Sequence, residues 1–417
     1  MRELELYIHI PFCVRKCKYC DFLSAPADAG ERQKYVESLC RKIRSYGALA
    51  KAYHVVSIFL GGGTPSVLDA GQTEKIFDAV YDTFMVDKDA EITTELNPGT
   101  VTEEKLRMYQ KVGINRLSIG LQSVNNHELR MLGRIHTYED FIDTFVMARK
   151  TGFDNVNVDL ISAIPGQTVE SWEDTLRTVA ELEPEHISAY SLIIEEGTPF
   201  YEIYGEEGAA SGGMAVLSGE GAALPDEDAE REMYQRTKRI LEEYGYRRYE
   251  ISNYAKEGFR CRHNLGYWER REYLGIGLGA ASLIDNVRWN EYASVEEFCR
   301  KYGEGIEIVP EFICVNEPES ITGSKVKVPR EDGERLSVKE QMGEFMFLGL
   351  RKMEGISKER FLRTFHEPVE KVYADQIPDL CEKGLLECEG DFIRLTERGI
   401  DISNYVTVSY THLTLPT

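Results

Sequence analysis

The 417-residue chain is long enough for one large domain of roughly 200–250 residues and a smaller one. With 42% hydrophobic and 29% charged residues it has the composition of a soluble globular protein, so disorder is a local question only. Its 49 Lys and Arg against 71 Asp and Glu give a net charge of -22, and so acidic a surface repels a phosphate backbone, which argues against nucleic acid as a partner.

Short aliphatic and β-branched runs at residues 4–10, 55–60, 91–96, 116–121, 156–161 and 187–194 read as strands. Between them apolar residues recur at three- and four-residue steps: Tyr35, Val36, Leu39, Ile43 and Tyr46, then Ile76, Phe77, Val80 and Phe84, then Phe141, Phe145 and Ala148. Thr102 before Glu103 and Glu104, and Thr137 before Glu139 and Asp140, supply helix starts. About six strand–helix alternations predict an α/β fold with a parallel sheet and crossover helices, an open or partial (β/α)6 barrel. Ligands of such sheets sit at the C-terminal ends of the strands.

The alternation stops near Pro199. Residues 205–224, dominated by Gly, Ala, Ser and Glu, predict a mobile surface loop without chemistry, and 310–334 is a second irregular stretch. Beyond it, 341–350, 358–365 and 377–383 read as helices and 385–395 as a hairpin, which suits a small, mainly helical, winged-helix-like C-terminal domain. It has no basic recognition helix, which speaks against DNA. The expected organisation is a core over residues 1–200, an extension over 201–335 that carries a segment of interest at 250–290, and the C-terminal domain over 336–406. Residues 407–417 show no periodicity linking them to what precedes and are expected to be disordered or foreign to the native sequence.

No apolar run approaches the ~18–20 residues needed to span a bilayer, and the start, Met1-Arg2-Glu3-Leu4-Glu5, lacks an apolar signal segment. The expected location is cytoplasmic. Nine cysteines, an odd number with one tight cluster, fit a reducing compartment and metal ligation rather than a disulfide framework. Cys40, at helical spacing with Val36 and Ile43, reads as a small buried hydrophobe.

The cluster is Cys13-Val-Arg-Lys-Cys17-Lys-Tyr-Cys20, directly after the first predicted strand, so Cys13, Cys17 and Cys20 share one loop at the sheet's C-terminal edge. Three thiolates can cap three irons of a 4Fe-4S cubane and leave the fourth iron open to an exchangeable ligand. S-adenosylmethionine can chelate that iron through its amino and carboxylate groups, which brings its sulfonium to the cluster for one-electron reduction and release of a 5′-deoxyadenosyl radical. A zinc site is the alternative, although zinc motifs show two ligand pairs and no second pair is evident nearby. Gly61-Gly62-Gly63-Thr64-Pro65 ends the second strand and lets a ligand approach the backbone. Glu95, Asn97, Gln122 and Asp159 each close an apolar run and so converge on the same rim, while any one of them alone can be a helix cap or loop hydrogen bond. Arg134 can supply the cation that a methionyl carboxylate requires.

Taken together, Tyr7-Ile-His9-Ile-Pro11-Phe12-Cys13, the cysteine triplet, the 61–65 loop, Glu95-Leu-Asn97-Pro98, Gly120-Leu-Gln122-Ser123, Leu132-Gly133-Arg134-Ile-His136 and Asp159-Leu-Ile resemble the radical-SAM family of oxygen-independent coproporphyrinogen III oxidases and their heme-chaperone relatives. The resemblance runs from Tyr7 to about Val406 and implies a radical-SAM-type barrel with the family's C-terminal domain. It further implies that Tyr7, Tyr19, Gly62, Gly63, Thr64, Glu95, Gln122, Arg134 and Asp159 contact S-adenosylmethionine.

Within this family the oxidase pattern carries a further cysteine two residues after the third cluster ligand. Here Phe22 stands at that position, which is similar to the chaperones, and coproporphyrinogen III oxidase activity is not expected. Cys261-Arg-His263-Asn264-Leu-Gly-Tyr267-Trp268 resembles the chaperone's heme-binding signature, which makes His263, Asn264, Tyr267 and Trp268 candidate heme contacts. Ala281 departs from the pattern, which usually has histidine there. An imidazole can ligate heme iron axially and aromatic rings can pack on the macrocycle, while Cys261 is a rival ligand. A histidine beside Tyr and Trp is equally compatible with a hydrogen-bonded surface or core residue. The expected function is a heme chaperone that binds a 4Fe-4S cluster, S-adenosylmethionine and heme, takes electrons from a donor, and passes heme to acceptor apoproteins, respiratory ones among them. The alternatives are the oxidase, and a radical-SAM RNA-modifying enzyme, which the net charge and the absence of a basic domain disfavour.

Overall fold

The computed structural model describes residues 1–205, 222–305, 313–315, 325–327 and 333–411. Six strands, β1 (Arg2–Ile10), β2 (Tyr53–Gly62), β3 (Val86–Leu96), β4 (Arg116–Gln122), β5 (Val156–Ser162) and β6 (His186–Ser191), lie parallel in sequence order. The crossover helices include Ala29–Ser45, Ala70–Thr83, Glu103–Lys111, Tyr138–Thr151 and Val169–Glu181, which make this a partial (β/α)6 barrel. Two helix starts read from sequence are in place: Thr102 caps through the Lys105 N–H, and Thr137 forms a capping box with Asp140.

Alternation along each strand separates two surfaces. On β1, Leu4, Leu6, Ile8 and Ile10 enter the main apolar core with Leu39 and Ile43 of the first crossover helix. The intervening residues form the other face, and it is polar. In register across the sheet lie Glu5 and Ser57, Ser57 and Glu91, Thr93 and Arg116, Ser118 and Asn157, then Asn157 and His186. A barrel whose inner face carries charge must satisfy it internally, because buried polar groups without partners cost stability.

The sheet extends past the six strands on both sides, which the sequence patterns did not anticipate. β7 (Arg247–Arg248) and β8 (Asn253–Ala255) follow β6 antiparallel. On the other edge β9 (Tyr273–Ile276) pairs parallel with β1, followed by β10 (Ala281–Ile284), β11 (Val287–Asn290) and Glu334–Arg335, all antiparallel. These strands run two to four residues, too short to show a period of their own.

Helices Val338–Gly349, Lys358–Phe365 and Gln376–Glu382 enclose a second core with Met346, Leu350, Phe361, Tyr373 and Leu380, beside a small sheet of Ile356–Ser357, Leu386–Glu389 and Phe392–Leu395. Ion pairs Arg270–Glu344 (2.8 Å) and Arg248–Glu397 (3.0 Å) join it to the barrel. Residues 407–411, expected with the tail, instead continue the helix Ser403–Thr411. The physical reason is the spacing of Val406 and Tyr410, both buried, which share one helical face; Tyr410 meets Tyr373 edge-on at 5.0 Å. Residues 412–417 lie outside the described residues, as do 206–221 of the expected loop and most of 310–334, where the short strands Ile313–Val315 and Lys325–Lys327 pair. No helix among the described residues is long and apolar enough to cross a membrane.

Candidate functional site

The loop after β1 carries all three cysteines into one cavity of about 490 Å³ at the C-terminal ends of the strands. Backbone bonds hold the loop in place: Cys13 N to Ala25 O (3.1 Å), Thr64 N to Phe12 O (2.8 Å) and Lys18 N to Leu132 O (3.0 Å). Gly62, at φ 112, has no room for a side chain, since a Cβ there would come within 2.5 Å of the His9 ring.

Around the sulfurs the polar groups are interlocked. The Asn97 amide donates to Thr64 Oγ1 (2.8 Å), and Thr64 Oγ1 lies 3.3 Å from Cys13 Sγ. Arg134 donates to Cys17 Sγ (3.7 Å), to Asn97 Oδ1 (2.7 Å) and to Gly120 O (2.6 Å). Only 9% of Arg134 is exposed, and its Nε has no hydrogen-bond partner within the protein, so it holds positive charge and one spare donor beside the cavity. Gln122 sits at φ 74, where β4 shifts register against β5, a bulge that re-aims its side chain.

The carboxylates of the cavity are shifted by their surroundings. Burial, together with nearby Asp159, pushes Glu95 up to about 8, although the Gly62 N–H donates to Glu95 Oε2 at 3.0 Å. Burial also raises Asp159, against donors from Asn157 Nδ2 (2.8 Å) and the Ser118 hydroxyl (2.9 Å).

Of the residues expected to contact S-adenosylmethionine, Tyr19, Gly62, Gly63, Thr64, Glu95, Gln122, Arg134 and Asp159 line this cavity. Tyr7 is not among its lining residues. The Tyr7 hydroxyl donates to His9 Nδ1 (2.9 Å), because His9 Nε2 is taken up in donating to Leu23 O (2.9 Å). Ser118, Tyr190 and Ile193 line the cavity without having been singled out from sequence. Tyr190 was hidden because the sixth apolar run reads through to residue 194, whereas β6 stops at Ser191 and leaves Ile193 exposed.

Three thiols on one loop, an adjacent buried cation and a roomy polar cavity fit a three-cysteine cubane with a chelating amino acid.

The second motif is placed elsewhere. Helix Arg262–Trp268 lies under the barrel, its start held by Glu91, whose carboxylate accepts from the Arg262 and His263 N–H groups at 3.0 Å each. Gly266 packs on Glu5 so tightly that a Cβ there would overlap its carboxylate. His263 is 1% exposed, with Nδ1 2.8 Å from the Ser57 hydroxyl and Nε2 without a partner. Its ring stacks on Phe59 (5.3 Å) and meets Tyr267 edge-on (5.1 Å), and burial drives its pKa down to about 3. As a donor, a neutral imidazole with one nitrogen held and the other open suits heme iron. The space around it does not, because His263 is 1% exposed and lines neither the cluster cavity nor the one beside Trp268. Cys261, the rival, is fully buried, its thiol directed at Glu91. Trp268 of this motif reaches a cavity of about 210 Å³ shared with Phe345, Lys352, Arg360 and Phe392. Asn264 and Tyr267 are half-buried on the same helix.

Comparison with known proteins gives a consistent picture. Residues 7–179 match the Radical SAM superfamily and residues 336–402 match the HemN C-terminal domain. The chain is 34% identical over 400 residues to the heme chaperone HemW of Lactococcus lactis, covering 96% of this chain and 95% of that protein. It is 33% identical to the heme chaperone HemW of Bacillus subtilis, covering 96% and 97%. Among solved structures, coproporphyrinogen III oxidase (HemN) from Escherichia coli superposes with a TM-score of 0.77 over 98% of this chain and 90% of that one, at 21% identity, a likeness of fold.

Proposed function

The chain belongs to the heme chaperone HemW family within the radical SAM superfamily, and on that premise we propose that it is a heme chaperone that binds a 4Fe-4S cluster and S-adenosylmethionine and hands heme to acceptor apoproteins, respiratory ones among them. The observation that carries the cluster assignment is the convergence of Cys13, Cys17 and Cys20 with Arg134, Glu95, Gln122 and Asp159 on one cavity. A cluster bound there supplies one-electron reducing power at its open iron.

The chain's own residues supply the rest. Arg134, buried and charged, holds the carboxylate of the sulfonium ligand. Thr64 donates to the Cys13 sulfur. Glu95 presents to the ligand a carboxyl group whose Oε2 accepts from the Gly62 N–H and whose pKa burial raises. Val14 and Phe22, exposed beside Arg15, Lys16 and Lys18, form the face that receives the electron donor.

Heme does not fit at His263 as folded, because the residue is 1% exposed. We assign heme contact to the Trp268 end of the motif, where Trp268, with the Arg351 guanidinium stacked 4.4 Å from its ring, borders a cavity that also presents the cations Lys352 and Arg360. That cavity, about 210 Å³, is smaller than a macrocycle requires, so its residues would contact only an edge of a bound heme. The proposed location is cytoplasmic. Anaerobic reconstitution followed by separate assays for iron content, heme binding and coproporphyrinogen III decarboxylation tests this reading. Decarboxylation without heme binding refutes it.

A further inference from the structure

Asp159 reaches the cavity at the end of a hydrogen-bond chain that starts under the barrel. The Cys261 N–H donates to the Tyr249 oxygen (3.2 Å), and the Tyr249 hydroxyl lies 2.8 Å from His186 Nε2. His186 Nδ1 lies 2.6 Å from Asn157 Oδ1. Asn157 Nδ2 then donates to Ser118 Oγ (2.7 Å) and to Asp159 Oδ1 (2.8 Å), and the Ser118 hydroxyl donates to Asp159 Oδ2 (2.9 Å).

Each link permits one direction. A carboxylate only accepts, so the Asn157 nitrogen faces it and the Asn157 oxygen faces away. That oxygen therefore takes the proton of His186 Nδ1, and His186 Nε2 must accept from Tyr249. The imidazole has to be neutral for this, and burial together with Arg116 keeps it so. His186, Asn157, Tyr249 and Cys261 are each at most 2% exposed, so water does not replace a lost partner at low cost. Ser188 donates a further, longer bond to Asn157 Oδ1 (3.1 Å). Without His186 the Asn157 amide is left with that weaker tether and can turn its oxygen toward Asp159, which disfavours the carboxylate's present orientation.

We propose that His186 is a positioning residue for the S-adenosylmethionine site, acting through Asn157 to hold both oxygens of Asp159 in place, with Tyr249 fixing the tautomer that makes this possible. The inference rests on the reading of the cavity as that ligand's site. It also ties Cys261, at the head of helix Arg262–Trp268, to a residue of the cluster cavity.

The test uses the full chain, reconstituted anaerobically, with S-adenosylmethionine titrated against the change it causes in the reduced cluster's EPR spectrum. His186→Leu and Tyr249→Phe are expected to weaken binding roughly three- to tenfold with iron content unchanged. His186→Asn, whose amide nitrogen takes the place of Nδ1, is expected to recover most of the affinity, which a filler role would not allow. Wild-type affinity in His186→Leu and Tyr249→Phe overturns the proposal. If His186→Leu fails to fold, Tyr249→Phe decides alone. A wild-type protein whose spectrum ignores S-adenosylmethionine overturns the site reading and the proposal with it, whereas a responsive wild type with unaffected variants overturns the proposal only.

Discussion

The Thr64 hydroxyl lies 3.3 Å from the Cys13 sulfur while Asn97 donates to the same oxygen, and since a cluster-ligating thiolate can only accept, the hydroxyl proton is then directed at the sulfur. Hydrogen bonds to cluster sulfurs raise the reduction potential. Thr64→Val keeps the shape and removes the donor. It is expected to assemble a full cluster with a lower midpoint potential, measured by EPR-monitored redox titration. An unchanged potential with full iron content shows that the bond does not act on the cluster.

Cys17 receives the Arg134 guanidinium, and among the described residues the other thiols lining the cavity are Cys13 and Cys20. Cys17→Ala is therefore expected to lose the 4Fe-4S cluster after anaerobic reconstitution, as read by iron content and visible absorption. A full cluster in that variant refutes the ligand assignment.

Glu5 is fully buried with the Arg271 guanidinium 3.7 Å from Oε1, and burial, outweighing Arg271, pushes its pKa from 4.5 up to about 8. The folded state thus holds a proton that the unfolded state releases, and stability falls as pH rises between about 4.5 and about 8. Glu5→Gln removes that dependence. It is expected to gain on wild type by at most about 1.4 kcal/mol per pH unit across the window, with little difference below it. Parallel denaturant titrations at pH 5 and pH 8 measure this, and an equal offset at both values rules the account out.

How far the sequence was legible follows from the type of signal each element leaves. Runs such as 116–121 and starts such as Thr102 reproduce because strand period and capping are local. β9, at four residues, is recruited to the edge of β1 by tertiary pairing, which leaves no local trace. The cysteines were legible by their spacing, and Glu95 and Gln122 since they end β3 and β4, whereas Asp159 does not close its run: it lies in the middle of β5 and reaches the cavity from the strand's polar face. His263 was legible as a motif and misleading as a surface: its neighbours Ser57 and Phe59 come from β2, some two hundred residues earlier in the chain, so its burial has no local sign. Tyr249, His186 and Asn157 stood out in no pattern, because their link is a hydrogen-bond chain across three strands and a loop.

Phe22 is 65% exposed at the mouth of the cluster cavity, where the oxidase pattern has cysteine. No conversion of coproporphyrinogen III is expected under reducing, anaerobic conditions, and product analysis by chromatography checks it. Sustained turnover would move the chain to the oxidase class.

His263 and Trp268 belong to one helix yet make opposite predictions for heme. His263 is 1% exposed with Nε2 buried, so iron reaches that nitrogen only if the helix moves, and an unperturbed histidine pKa near 6.5 does not govern binding. His263→Gln is expected to bind heme with an unchanged Soret band and to lose roughly 1–3 kcal/mol of stability from the broken Ser57 contact and stacking. Trp268 lines an open cavity with Lys352 and Arg360, so Trp268→Ala is expected to weaken heme binding without disturbing the N-terminal cluster. Cys261→Ala, tested alongside, is expected to leave the heme spectrum unchanged. Heme titrations followed at the Soret band, with hydrogen exchange over residues 262–268, separate the cases. A Soret shift in His263→Gln together with heme-induced loss of protection in that helix means that the motif opens and the histidine ligates iron, which overturns the assignment to Trp268.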